Sequence, residues 1–103
     1  MTSSEALAAL QRALDLSQEI AAAADSGDVA EIVRLDAERL ALLKSARRAL
    51  HPLTLADRSM LRAIADLNAR SIGRMEHRFR AKCRDMDMLA AGRRAVRAYA
   101  HHR

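Results

Sequence analysis

Little in this sequence can turn a chain or fill a large core. Its 103 residues include one proline, three glycines, one phenylalanine, one tyrosine and no tryptophan. A sheet of several strands needs turn chemistry between its strands, and that shortage of glycine and proline argues against one. Strand-forming residues are scarce as well. The only cysteine, Cys83, has no partner for an internal disulfide, and a lone thiol fits a reducing compartment. No uncharged run approaches the roughly 20 residues of a membrane span. The start, Met1-Thr2-Ser3-Ser4-Glu5, lacks the basic and apolar regions of a secretion signal. The expected location is the cytoplasm.

What is present is alanine, 23 residues, and leucine, 14. These are the strongest helix formers, so the composition predicts an all-α fold in one domain spanning residues 1–103. The expected helices are residues 4–24, 29–49 and 55–99. Ser3 or Ser4 is the first N-cap, and Ser26-Gly27 the first break, with Gly27 suited to a left-handed C-terminal position. Asp28 and Glu31 have capping-box spacing at the start of the second helix. Leu50-His51-Pro52-Leu53 is the second break, and Thr54 with Asp57 caps the third helix. The predicted architecture is an antiparallel three-helix bundle, or a hairpin plus a long third helix. Gly92 is a point where a short fourth helix splits off. The predicted core sets Leu7, Leu10, Leu14 and Ile20 against Ile32, Val33, Leu40 and Leu43, with Leu61, Ile64 and Leu67 from the third helix.

The lengths do not match. At about 1.5 Å per residue the third helix reaches roughly 67 Å and the first two about 30 Å each. A hairpin that short leaves half the third helix uncovered. Its apolar residues Ile72, Met75, Phe79, Met86, Leu89 and Val96 need a second polypeptide, or else residues 93–103 folded back from Gly92. The same half is basic. Residues 50–103 hold twelve basic and five acidic side chains, whereas residues 1–49 hold six and eight. Arg74, Arg78, Arg84, Arg93, Arg94 and Arg97 form an expected electrostatic rim that steers an acidic partner.

Catalytic chemistry finds no foothold. His77 is six residues from Cys83, off the spacing that brings two helical side chains together. Asp85 and Asp87, two apart, face different ways. The His101-His102 pair lacks further ligands at a metal-site spacing. No glycine-rich phosphate loop occurs. The arginine run carries no interleaved aromatics and no base-reading Asn or Gln, which disfavours nucleic acid. The reading is a protein-binding module with no enzymatic activity, no cofactor and no metal. A helical dimerisation or scaffolding module, or a nucleic-acid-associated regulator, is the alternative.

Three stretches in order resemble one family. Gly27-Asp28-Val29-Ala30-Glu31-Ile32 with Leu35, Glu38-Arg39 and Leu42-Leu43 is similar to the second-helix pattern of the FliT-like flagellar type III export chaperones. Leu61, Ile64, Leu67-Asn68 and Ile72 look like the start of their third helix. Arg93-Arg94-Ala95-Val96-Arg97-Ala98-Tyr99 resembles their basic closing segment. Val29 stands where the family often has Trp. The resemblance implies a cytoplasmic chaperone that binds the filament-cap protein and delivers it to the export apparatus. The implied partner-binding residues are Ile72, Met75, Phe79, Met86, Leu89, Val96 and Tyr99, and a homodimer is an expected alternative state.

Overall fold

A computed structural model describes residues 2–101. Three helices make up the structure: α1 (Ser3–Ser26), α2 (Val29–Ala49) and α3 (Leu55–His101). Each boundary has a local cause. Thr2, rather than Ser3 or Ser4, caps α1: its Oγ1 accepts from the Glu5 N–H at 3.1 Å. Thr2 wins because it stands three residues before an acidic side chain at the positive end of the helix. Gly27 closes α1 in the left-handed conformation (φ 75°, ψ 21°) and donates its N–H to the Ala23 carbonyl. Asp28 then caps α2 by accepting from the Glu31 N–H at 3.1 Å. The Glu31 carboxylate does not reach back. It pairs with Arg34, whose hydrogen bond holds the carboxyl below its usual range. α3 opens on a reciprocal capping box: Thr54 N–H donates to Asp57 at 3.0 Å, and Asp57 N–H donates to the Thr54 hydroxyl at 3.1 Å.

α1 is the central helix. α2 packs antiparallel on one side of it and the first half of α3 lies parallel on the other. Leu10 shares a cluster with Leu61, while Asp25 at the far end of α1 meets Arg74. No Cα of α2 comes within 8 Å of one in α3. The two flanking helices therefore stand apart, with α1 as the floor of an open groove between them.

That arrangement corrects the predicted core. The buried strip of α1 is Ala6, Ala9, Leu10, Ala13, Leu16, Ser17, Ile20, Ala23 and Ala24. It is broad because two helices cover it, and its alanines let both approach closely. Leu16 of this strip shares a buried cluster with Leu35 and Ile32 of α2. Leu7, Val33 and Leu40, expected inside, are exposed. Leu40 and Val33 lie on a face of α2 that α1 does not cover.

A polar node ties the three helices at mid-height. Arg39 of α2 is buried, and its guanidinium donates to Ser17 Oγ of α1 at 3.2 Å and to Asn68 Oδ1 of α3 at 2.9 Å. It also donates to Asp36 at 2.6 Å. A buried cation with satisfied donors fixes how far each helix slides along its neighbours, because any slip leaves a charge unpaired.

α3 runs without a break through Gly73 and Gly92 to His101. The fourth helix expected after Gly92 does not form, and the segment beyond Gly92 does not fold back. Nothing lies within 4 Å of a Cβ placed at Gly92, so no neighbour offers contacts that would reward a turn there. The molecule is accordingly long and thin, 77 × 21 × 18 Å.

Candidate protein-binding surface

α3 leaves the bundle at the α1–α2 turn, where two arginines hold it. Arg74 bonds both carboxylate oxygens of Asp25, at 2.7 and 2.8 Å. Arg78 donates to the Asp25 backbone carbonyl and lies across Gly27, where a Cβ would collide with its guanidinium. Both cations sit at the negative end of α1, where Arg78 satisfies a last-turn carbonyl and Arg74 pairs with a side-chain carboxylate. Arg74 and Arg78, expected on the rim, are thus engaged with their own chain. Arg84, Arg93, Arg94 and Arg97 lie farther out on α3 and are exposed.

Beyond Arg78 the helix projects free for residues 79–101, about 34 Å. Phe79 is 71% exposed, Met86 65%, Leu89 61%, Val96 69% and Tyr99 74%. Ile72 is partly exposed and lines the α2–α3 groove. Met75 differs from the rest: it is half-buried and packs on the Leu16–Ile20 cluster. It belongs to the wall of the bundle as much as to any outer surface.

The apolar residues do not form one straight seam. At about 100° per residue, Phe79, Cys83, Met86 and Ala90 continue the face of Ile72 that looks into the groove. Leu89 and Val96 lie about 80–100° round from Phe79 and continue the face by which Ile64 and Ser71 meet α1. Met88, Leu89, Gly92 and Val96 border one shallow apolar depression. Phe79, Met75, Val29 and Ile32 border another at the exit of α3. The free half thus carries two adjoining strips, together wide enough to be buried by a pair of helices. Sequence reasoning found their members but not their phase, and it passed over Met88. Burial of each such side chain is worth about 1.5–3 kcal/mol, so the bare strips are a large unrealised association energy.

Nothing in the described residues organises other chemistry. They contain no group of three His, Cys, Asp or Glu side chains able to hold a metal ion. His102 of the tail pair lies outside the described residues. Cys83 is a free, half-exposed thiol. Among the described residues no helix is long and apolar enough to cross a membrane.

A small helical bundle whose longest helix offers uncovered apolar strips flanked by cations is, as a class, a protein-binding module. The chain belongs to the FliT family: the family model described as "Flagellar protein FliT" matches residues 7–101. That family is one of flagellar export chaperones. No curated protein and no solved structure gives a match.

Proposed function

We propose that this protein is a cytoplasmic chaperone that holds an amphipathic helical segment of a flagellar export substrate, the filament-cap protein, and presents it to the export apparatus. The observation that carries the reading is the bare apolar surface of residues 79–101. The client helix lies along Phe79, Met86, Leu89, Val96 and Tyr99 and takes up the apolar area that the chain leaves in water. Arg84, Arg93, Arg94 and Arg97 flank that line and attract acidic residues of the client. Ile72 and Met75 extend the contact to the bundle.

The test is titration of the protein with a peptide from the C-terminal segment of the filament-cap protein, followed by calorimetry. Phe79→Asp and Leu89→Asp should each weaken binding at least tenfold. Far-UV circular dichroism should not change, since both side chains are exposed. Wild-type affinity in the two variants would sink the proposal.

A further inference from the structure

The bundle is electrically lopsided. Residues 19–38, toward the end where α3 leaves, hold six acidic side chains and one basic. Residues 44–62, toward the other end, hold five basic and one acidic. That acid is Asp57, which is buried and spent on the Thr54 capping box. Glu5, in the first turn of α1, is a second carboxylate at this end. Among the described residues no carboxylate forms an ion pair with Lys44, Arg47, Arg48, Arg58 or Arg62.

An apolar pocket opens at the same end, where the loop of residues 50–53 closes the foot of the α2–α3 groove. Leu10 of α1 is its floor, Leu43 of α2 and Leu61 of α3 are its walls, and Leu50 and Leu53 come from the loop. Arg47 and His51 complete the lining. The pocket holds about 390 Å³. That is toward the small end of binding sites, which span roughly 300–1,000 Å³, and it suits one or two apolar side chains rather than a whole helix.

We infer that this pocket is a second docking site, separate from the client surface, for a protein segment that carries one large aliphatic side chain flanked by aspartate or glutamate. The aliphatic side chain enters between Leu43, Leu53 and Leu61. Its acidic neighbours meet Arg47, which lines the pocket, and Arg58, which stands one turn before Leu61 on α3. Helix stability explains Arg47, because a cation suits the negative end of α2. It does not explain Arg58. That cation lies in the first turn of α3, at a positive helix end where it is mildly unfavourable.

The site goes beyond the chaperone reading. It lies level with Leu61, about 27 Å along α3 from Phe79, so the chain has room for two polypeptides at once. A lipid surface offers the same negative charge but the wrong shape. A bilayer takes up side chains that protrude, and the leucines here are recessed: Leu10 is 1% exposed and Leu53 37%. Leu55 does protrude, but it lies about 120° round α3 from Leu61 and away from the pocket.

The test uses a synthetic peptide with one leucine between runs of glutamate, titrated into the isotope-labelled full chain. Methyl NMR should show saturable shifts at Leu43, Leu53 and Leu61. Replacing the peptide's leucine with serine, or its glutamates with lysine, should weaken binding at least tenfold. Arg47→Glu and Arg58→Glu should each do the same without loss of helical content, since both side chains are exposed. Arg58→Glu should also raise the thermal midpoint slightly, which separates a lost contact from a damaged fold. Equal binding by either control peptide overturns the inference, as does an absence of pocket shifts at about 1 mM peptide. Shifts confined to Met86, Met88 and Leu89 overturn it too, by placing the peptide on the client surface. Pocket shifts that grow with protein concentration alone would give the pocket to a second copy. Arg47-dependent sedimentation with phosphatidylglycerol vesicles, with no response to peptide, would give this end to a lipid surface. Either result overturns the inference. Phe79→Asp should abolish client binding and leave the pocket shifts intact, so the two readings fail separately.

Discussion

The two halves of α3 share one helix and live in different environments. Residues 55–78 lie against α1, with Asp57, Ile64 and Ser71 buried and Asn68 bonded to the polar node. Residues 79–101 contain no buried residue at all. The first half is held by tertiary packing. The second is held by helix propensity and by continuity with a helix already nucleated, which removes the cost of starting one. An isolated 23-residue helix with so much bare apolar surface is a poor end state in water, and the contrast between the halves teaches that the outer one leaves unburied the kind of surface that the inner one buries.

Substitution of matched residues should break the symmetry most visibly. Ile64→Ala, in the packed half, should cost about 2–4 kcal/mol in chemical denaturation. Leu89→Ala, in the free half, should stay within about 0.5 kcal/mol for the single chain. Equal costs would mean that the outer half is buried after all.

The junction between the halves gives the next effect. Gly27→Ala forces a side chain into a left-handed position and against Arg78, so it should cost about 1–2 kcal/mol. Hydrogen exchange in residues 74–82 should quicken along with it, because Arg78 is the strap that the new methyl group displaces.

The smallest effect sharpens the comparison. Both Gly73 and Gly92 face open space, so alanine at either gains up to about 1 kcal/mol of helix propensity. Gly73→Ala should raise the midpoint of global unfolding. Gly92→Ala should leave that midpoint unchanged and slow amide exchange only around residues 88–101. A shift of the global midpoint by Gly92→Ala would show the two halves to be one cooperative unit.

Much of this was legible in the residues, and the failures have a common source. The helix boundaries followed from Gly27, Asp28, Pro52 and the Thr54–Asp57 pair, whose effects reach no farther than a turn of chain. The first cap was misplaced by one or two positions because Thr2, Ser3 and Ser4 are all competent and only the spacing to Glu5 separates them. Leu7, Val33 and Leu40 were expected inside because the apolar stripes of α1 and α2 are wide, and a wide stripe does not say which edge meets a neighbour. Arg39 carried no local sign that it would be buried; its burial depends on Ser17 and Asn68 arriving from 22 and 29 residues away. The candidate surface was found residue by residue, yet its division into two strips emerged only once the direction of α1 from α3 was fixed.

The sequence by itself determined three helices, where they start and stop, and that the last outruns the other two. Those properties come from capping, propensity and length, which act between residues no more than about four apart. Only the tertiary structure decided that α1 stands in the middle, that α2 and α3 remain apart, and that Arg74 and Arg78 are engaged by the end of α1. Such choices depend on how helices rotate and slide against one another, and an alanine-rich stripe leaves several rotations nearly equal until close packing and a buried guanidinium select one.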